Sequence, residues 1–336
     1  MAGTMQVTVV PPADLGASEE KLWHEFQNSS PLGVHPWFSL TYVRAVCRVD
    51  ERVRIAVAED GGAIRAFIPY TKGDDGIATG HGAGFTGLDG LVSSGVPIDL
   101  RAVIRRAGLR GWRFSHAPAE QSPLDPYRYE GDYHRDLVHY TDLRDGYAGY
   151  MNALPESVTK RISRTERYRR ALQRQVGEVS FEWNSSDPSH LPLLLDWKSA
   201  QFENMRQWVA RPSVRPFLRE LADSDNEDLS GITSVLSAGS QPMAILFSLR
   251  CGHIIAPWQV AYDPEYSRFS PGTILWITLF QEAVQRGVEM VDFGYGDNQY
   301  KQWFGNATYS TNGGGVWASR LGSAARVLYR RTRFHD

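Results

Sequence analysis

The chain is 336 residues long, more than one ordinary core needs, and fits two domains of about 150 residues each. Its 42% hydrophobic and 22% charged residues describe a globular protein and exclude a disordered acidic or basic chain. A net charge of −2 gives no overall attraction to nucleic acid or anionic lipid, so any such binding has to come from a local patch.

The N-terminal stretch MAGTMQVTVVPPADLG lacks the basic and long apolar regions of a signal peptide. No apolar run approaches the roughly 20 residues of a membrane span, so a cytoplasmic protein without one is expected. Residues 18–30 and 37–48 read as amphipathic helices. A hairpin follows: VRIAVAED, a Gly61-Gly62 turn, and AIRAFIPYTK. Residues 80–96 are glycine-rich and irregular. RAVIRRAGLRGW is a short basic helix ending near Gly108 or Gly111, WRFSHAP a strand, and 117–133 a loop. The domain boundary falls after the strand-like DLVHYTDL, giving units of 1–145 and 146–325.

The second half opens with one long helix, YMNALPESVTKRISRTERYRRALQRQVG, stopped at Gly177. VSFEWN is a strand, HLPLLLDWKSAQFENMR and RPSVRPFLRELADS are helices, and a second hairpin runs from GITSVLSA through Gly239-Ser240 into PMAILFSLRCGHIIAPWQVAYD. The loop PEYSRFSPG then leads into the helix TILWITLFQEAVQRG and the strand VEMVDFGYG. Both hairpins follow two helices and share strand, small-residue turn and strand, an internal similarity compatible with a duplicated α/β unit or with coincidence.

Three kinase-like strings occur in order: Gly82-Ala83-Gly84-Phe85-Thr86-Gly87, His134-Arg135-Asp136-Leu137 and Asp292-Phe293-Gly294. The spacing excludes a kinase, because Thr141 stands where the catalytic loop needs Asn and a whole helical half separates the two aspartates. Gly87 leads into LDGLVSSG and not into a helix, which excludes a dinucleotide fold. Cys47 and Cys251 read as buried free thiols of a reducing compartment. His81, His116, His134, His139 and His253 are scattered without ligand spacing, so no metal is expected.

One constellation survives. Ser270-Pro271-Gly272 opens a long helix, where converging backbone N–H groups and the helix dipole can hold an anion, or simply cap an ordinary core helix. Asp292 occupies a position where an apolar strand prefers a hydrophobe, and burying its carboxylate requires a partner. Asp292, Asp297 and Lys301 can share one network; alternatively Asp292 caps the loop and Lys301 is its solvated partner. The combination of Tyr262-Asp263-Pro264, Ser270-Pro271-Gly272, Gly287, Asp292-Phe293-Gly294, Gly296-Asp297 and Tyr300-Lys301 resembles the CelD-like branch of the GNAT acyltransferases. The likeness spans residues 150–305 well and the first half loosely. The chain departs from the pattern at Tyr295, where relatives often carry Arg, and at Asn298, often an acid.

The resemblance implies an α/β fold of mixed sheets: two GNAT-like units in tandem, similar to the Fem-type transferases. It implies N-acyl transfer from acyl-CoA to an amine of a small molecule or of a saccharide- or peptide-like acceptor. Asp292, Asp297, Tyr300 and Lys301 are then catalytic candidates, and Arg268, Ser270, Gly272 and Thr273 hold the donor in place of the usual glycine loop. His81, Phe85 and Asp89 are candidates for the acceptor side, in the first unit. The basic helix 159–175 can guide tRNA, which raises aminoacyl transfer from aminoacyl-tRNA as an alternative. A catalytically inactive binding protein is the second alternative.

Overall fold

The computed structural model describes residues 5–82, 85–128, 134–296 and 298–319. The elements run β1 (Gln6–Val10), α1 (Ala17–Asn28), α2 (Leu40–Val49), β2 (Val53–Asp60), β3 (Ala63–Lys72), β4 (Ile77–Gly80), β5 (Val92–Ser93), α3 (Leu100–Arg106), β6 (Gly111–Pro118) and β7 (Arg135–Asp142). They continue with α4 (Gly146–Ala153), α5 (Glu156–Gln175), β8 (Val179–Glu182), α6 (His190–Gln201), α7 (Glu203–Val209), α8 (Val214–Ala222), β9 (Ser230–Ala238), β10 (Gln241–Cys251), β11 (Ile254–Tyr262), α9 (Pro271–Gln285), β12 (Met290–Asp292), α10 (Gln299–Phe304) and β13 (Ala307–Trp317). Two compact units form: the residues up to Val138 together with those from Tyr309 onward, and His139–Thr308.

The fold class is α/β, and each unit displays the same order of parts. In the first, β1 to β4 pair antiparallel in sequence order, α3 crosses over, and β6 lies parallel to β4. In the second, β8 to β11 pair antiparallel, α9 crosses over, and β12 lies parallel to β11. The hairpin similarity thus extends to a whole repeated unit. Each unit also takes its last strand from the other half of the sequence. Thr311–Trp317 of β13 pairs antiparallel with β6, and Tyr140–Asp142 of β7 pairs with β12. Sequence order groups Tyr309–Trp317 with the second half, but strand pairing follows the open edge and not proximity along the chain.

Local chemistry explains where elements break. Gly61 and Gly62, both at positive φ, close the two-residue turn between β2 and β3. The expected long helix is two, α4 and α5, because Pro155 holds Leu154 extended. Phe202 is extended as well and separates α6 from α7. The long second strand of the later hairpin is β10 and β11, turned at Gly252 with φ 53°. The β-branched run QVTVV, passed over in the sequence, is the edge strand β1. Helix α9 is apolar on nearly all sides and is accordingly buried, with Leu275, Leu279 and Phe280 fully enclosed. Each such side chain contributes about 1.5–3 kcal/mol by leaving water. The second core gathers these residues with Leu246, Phe293 and Phe304, and the first is built on Tyr70, Trp112 and Phe114.

Candidate functional site

A cleft of about 580 Å3 opens in the second unit where β11, the start of α9, and α10 meet. Its geometry comes from β11 and β12 parting company. They pair only at Ile254–Met290 and Ile255–Val291, after which β12 ends and β11 runs on to Tyr262. A bulge at Trp258, where the pairing with β10 shifts register between Phe247 and Ser248, adds twist to β11 at this point. Backbone groups of β11 past Ile255 therefore lack β12 as a partner along that edge.

The floor of the cleft is the first turn of α9. Ser270 stands at its N-cap with φ 51° and ψ 51°, and among the described residues it is the only non-glycine at positive φ. Left-handed backbone costs a non-glycine residue about 1–2 kcal/mol, and here that cost is carried at the mouth of a cleft. Ser270 is not a side-chain cap; its carbonyl instead accepts the Thr273 N–H at 2.9 Å and the Ile274 N–H at 3.2 Å. Pro271 has no N–H to lose in the first turn. Gly272 lines the cleft beside Tyr262, whose ring a Cβ at this position would meet in ordinary contact at 3.5 Å. Ser270, Gly272 and Thr273 line the cleft. Arg268 does not. Its exposed guanidinium donates to Gln175 at 3.1 Å and packs over the Phe269 ring.

The opposite wall is aromatic. Tyr300 stacks on Trp276 with ring centroids 5.9 Å apart and meets Phe293 edge-on. Burial pushes the Tyr300 phenol up to about 12, so it keeps its proton at neutral pH. Lys301, one residue later on α10, is turned away from the cleft and buried at 5% exposure. Its ammonium donates to the carbonyls of Gly294 (3.2 Å) and Tyr295 (2.5 Å). Of the two readings of Lys301, the solvated one is excluded: α10, which the sequence did not announce, carries the side chain inward. Asp292 is also buried, at 2% exposure, and accepts the Gly294 N–H at 2.6 Å. Asp292 and Lys301 therefore grip the same turn, at Gly294 and Tyr295. Neither lines the cleft. Asp297 lies outside the described residues.

The first-unit candidates are held by their own backbone. His81 is buried, with one ring nitrogen 2.8 Å from the Trp37 carbonyl and the other without a hydrogen-bond partner. Desolvation depresses its imidazole to about 4, so it is neutral. The Asp89 carboxylate accepts the backbone N–H groups of Ser115 and His116. Phe85 is half-buried.

Sequence reasoning missed Lys198. It lies on α6, lines the cleft, and donates to the Val260 carbonyl of β11 at 3.0 Å, with its ammonium pulled down by burial. A lysine inside the apolar run LPLLLDWKSA was the available signal. Trp303 was missed too; it lines the cleft and carries the Arg161 guanidinium 3.7 Å from its ring centroid.

Residues 159–302 match the family model described as an acetyltransferase (GNAT) domain. This segment, less than half of the chain, is what is similar to GNAT acetyltransferases. Among solved structures, FemX is similar over 90% of this chain and 97% of its own, with 11% identity and a TM-score of 0.59. A conserved protein of unknown function from Bacteroides thetaiotaomicron follows at 10% identity and 0.56, over 94% and 100% of the two chains. The C-terminal DUF2156 domain assigned to a lysylphosphatidylglycerol synthetase of Agrobacterium fabrum is 13% identical with a TM-score of 0.52, over 92% and 96%. At these identities the likeness is one of fold. A comparison with curated proteins finds no match. No helix among the described residues is long and apolar enough to cross a membrane.

Proposed function

We propose that the second unit transfers an acyl group from acyl-CoA to an amine, by direct attack and without an acyl-enzyme. The observation that carries this reading is the cleft between the unpaired edge of β11 and the strained start of α9. A thioester lying along β11 can present its carbonyl oxygen to backbone N–H groups left without β12, which stabilise the oxyanion as it forms. The donor's phosphates face the first turn of α9, where helix dipole and backbone N–H groups favour negative charge. Lys198 supplies the nearby positive side chain and keeps α6 against β11.

The amine nitrogen attacks the thioester carbon, the tetrahedral intermediate collapses, and the C–S bond breaks. The departing thiolate takes a proton, for which the Tyr300 phenol is the donor in reach of the cleft. Asp292 and Lys301 act as positioning residues, fixing the turn that precedes α10 and thereby Tyr300. Asp297 remains the candidate for receiving the amine's proton. Arg268 is left out of donor binding.

A second reading, aminoacyl transfer from tRNA, is favoured by α5. That helix buries Val158, Ile162, Thr165 and Leu172 and exposes Lys160, Arg161, Arg164, Arg167, Arg170 and Arg174. Arg161 reaches the cleft through Trp303. Thiol release and intact-mass analysis with acyl-CoAs, charged tRNAs and an amine panel decide between the two. Calorimetry showing no CoA binding overturns the first reading, and activity abolished by nuclease establishes the second. CoA binding without turnover of any amine indicates a binding protein.

A further inference from the structure

Among the described residues, the fold assembles one cluster of metal-ligating side chains that the acyl-transfer reading does not use. His116 on β6 and His134 and Asp136 at the start of β7 each offer one ligand atom, all within 4.8 Å of one another. We propose that these three residues of the first unit bind a divalent first-row transition-metal ion, zinc being the best fit.

The strands explain the convergence. Residues 134 and 136 are two apart at the beginning of a strand and so share one face. His116 comes from β6, and β13 runs between β6 and β7. The two histidines can meet across that intervening strand only where it carries no side chain. Gly313 is that position: it falls in the irregularity of the β6–β13 register between Asn312 and Gly314, and its N–H donates to the His134 carbonyl at 2.8 Å. A Cβ on Gly313 would lie 2.2 Å from Cε1 of the His134 ring. The glycine thus makes room for the imidazole over the strand.

The distances suit a metal. Nε2 of His116 and Nε2 of His134 lie 3.4 and 3.6 Å from the same Asp136 oxygen. Ligands at about 2.0–2.1 Å from a tetrahedral zinc are separated by about 3.3 Å, so two edges of the tetrahedron are nearly in place. The His116–His134 ring centroids are 5.6 Å apart in an edge arrangement, without stacking, and their ligand atoms lie within 4.8 Å of each other. Two imidazoles and a carboxylate are a donor set that suits zinc, cobalt and nickel and not calcium or magnesium. The side chains of Asp136 and His134 are about two-fifths exposed, leaving a path for the ion and a position for water.

Support behind the ligands is already built. Asp89 accepts the His116 backbone N–H at 2.8 Å and both its oxygens accept the Ser115 N–H, which fixes β6 at this residue. Gly80 gives Asp89 its space, since a Cβ there would sit 2.3 Å from the carboxylate. A bound ion would clip β6 to β7 across β13 and stabilise the first unit by mass action.

The test is titration of the chelator-treated full chain with zinc sulfate by calorimetry, and with cobalt chloride by visible absorption. One site of micromolar affinity is expected, with the cobalt spectrum of a four-coordinate ion. His134→Gln and Asp136→Asn should each weaken binding about tenfold or more, while His24→Gln leaves it unchanged. In the wild type, zinc should protect His116 and His134 from diethyl pyrocarbonate, read by peptide mass, which needs no variant to fold. The proposal is overturned by the absence of saturable binding, by binding that persists in both ligand variants, or by modification of the two histidines regardless of zinc. In the first of these outcomes the cluster is a His–Asp–His ion-pair group only.

Discussion

Replacing Lys301 with Met removes a buried ammonium while keeping the length and apolar stem of the side chain. The ammonium donates to the carbonyls of Gly294 and Tyr295, and hydrogen bonds from a charged donor are worth about 1.5–3 kcal/mol each. Tyr295 is 44% exposed, so its carbonyl can recover water, and the net loss is about 2–3 kcal/mol. That loss falls on a short turn and should appear first as local opening. Amide hydrogen exchange in peptides covering residues 290–301 should accelerate by about 30-fold or more, since 1.4 kcal/mol is a factor of ten. Exchange in β9 and β10 should hardly change. If the turn positions Tyr300, turnover falls with it while CoA affinity is nearly kept. Lys301→Arg should not restore either property, because the enclosed site has no room for the guanidinium fork. Wild-type exchange rates in the 290–301 peptides of Lys301→Met would refute the positioning role.

Gly272→Val places two methyl groups against Tyr262, so acetyl-CoA affinity should drop about tenfold or more in calorimetry with little change in melting temperature. Tyr300→Phe should keep donor binding and lower turnover by about a hundredfold, measured by thiol release. His81 is neutral in the fold, with its value near 4 against about 6.5 unfolded, so the unfolded chain takes up its proton first. Stability from this group is complete above pH 6.5 and declines as pH falls toward 4, by up to about 3 kcal/mol at about 1.36 kcal/mol per unit. Urea titrations at pH 7 and pH 4.5 should show that slope, and His81→Gln should flatten it. The double change Arg164→Glu with Arg167→Glu should leave CoA-dependent turnover intact; a selective loss of tRNA-dependent activity would favour the second reading.

Elements whose signal is local were legible from the sequence. The Gly-Gly hairpin, the apolar helix opened by Ser270-Pro271-Gly272, and the repeated hairpin outline all follow from turn chemistry and short-range periodicity. So did the GNAT resemblance, because its motifs occupy one continuous stretch. Properties that depend on distant chain were not legible. The sequence left Lys301 between a network with Asp292 and Asp297 and a solvated position, because a short helix between two glycine-containing loops leaves little periodic signal, and only the packed turn reveals its two carbonyl partners. Lys198 drew no notice in the sequence, because the Val260 carbonyl it meets comes from β11, 62 residues further on.

By itself, then, the sequence determined the α/β class, the outline of a repeated hairpin and the segment in which acyl-transfer chemistry is to be sought. The tertiary structure alone decided that each unit completes its sheet with a strand from the other half, because open edges pair regardless of sequence distance. It also decided that β11 and β12 part after two residues to leave the cleft. Most clearly, it brought His116 together with His134 and Asp136 over Gly313, a meeting invisible in their spacing because the strand between them, β13, comes last in the fold.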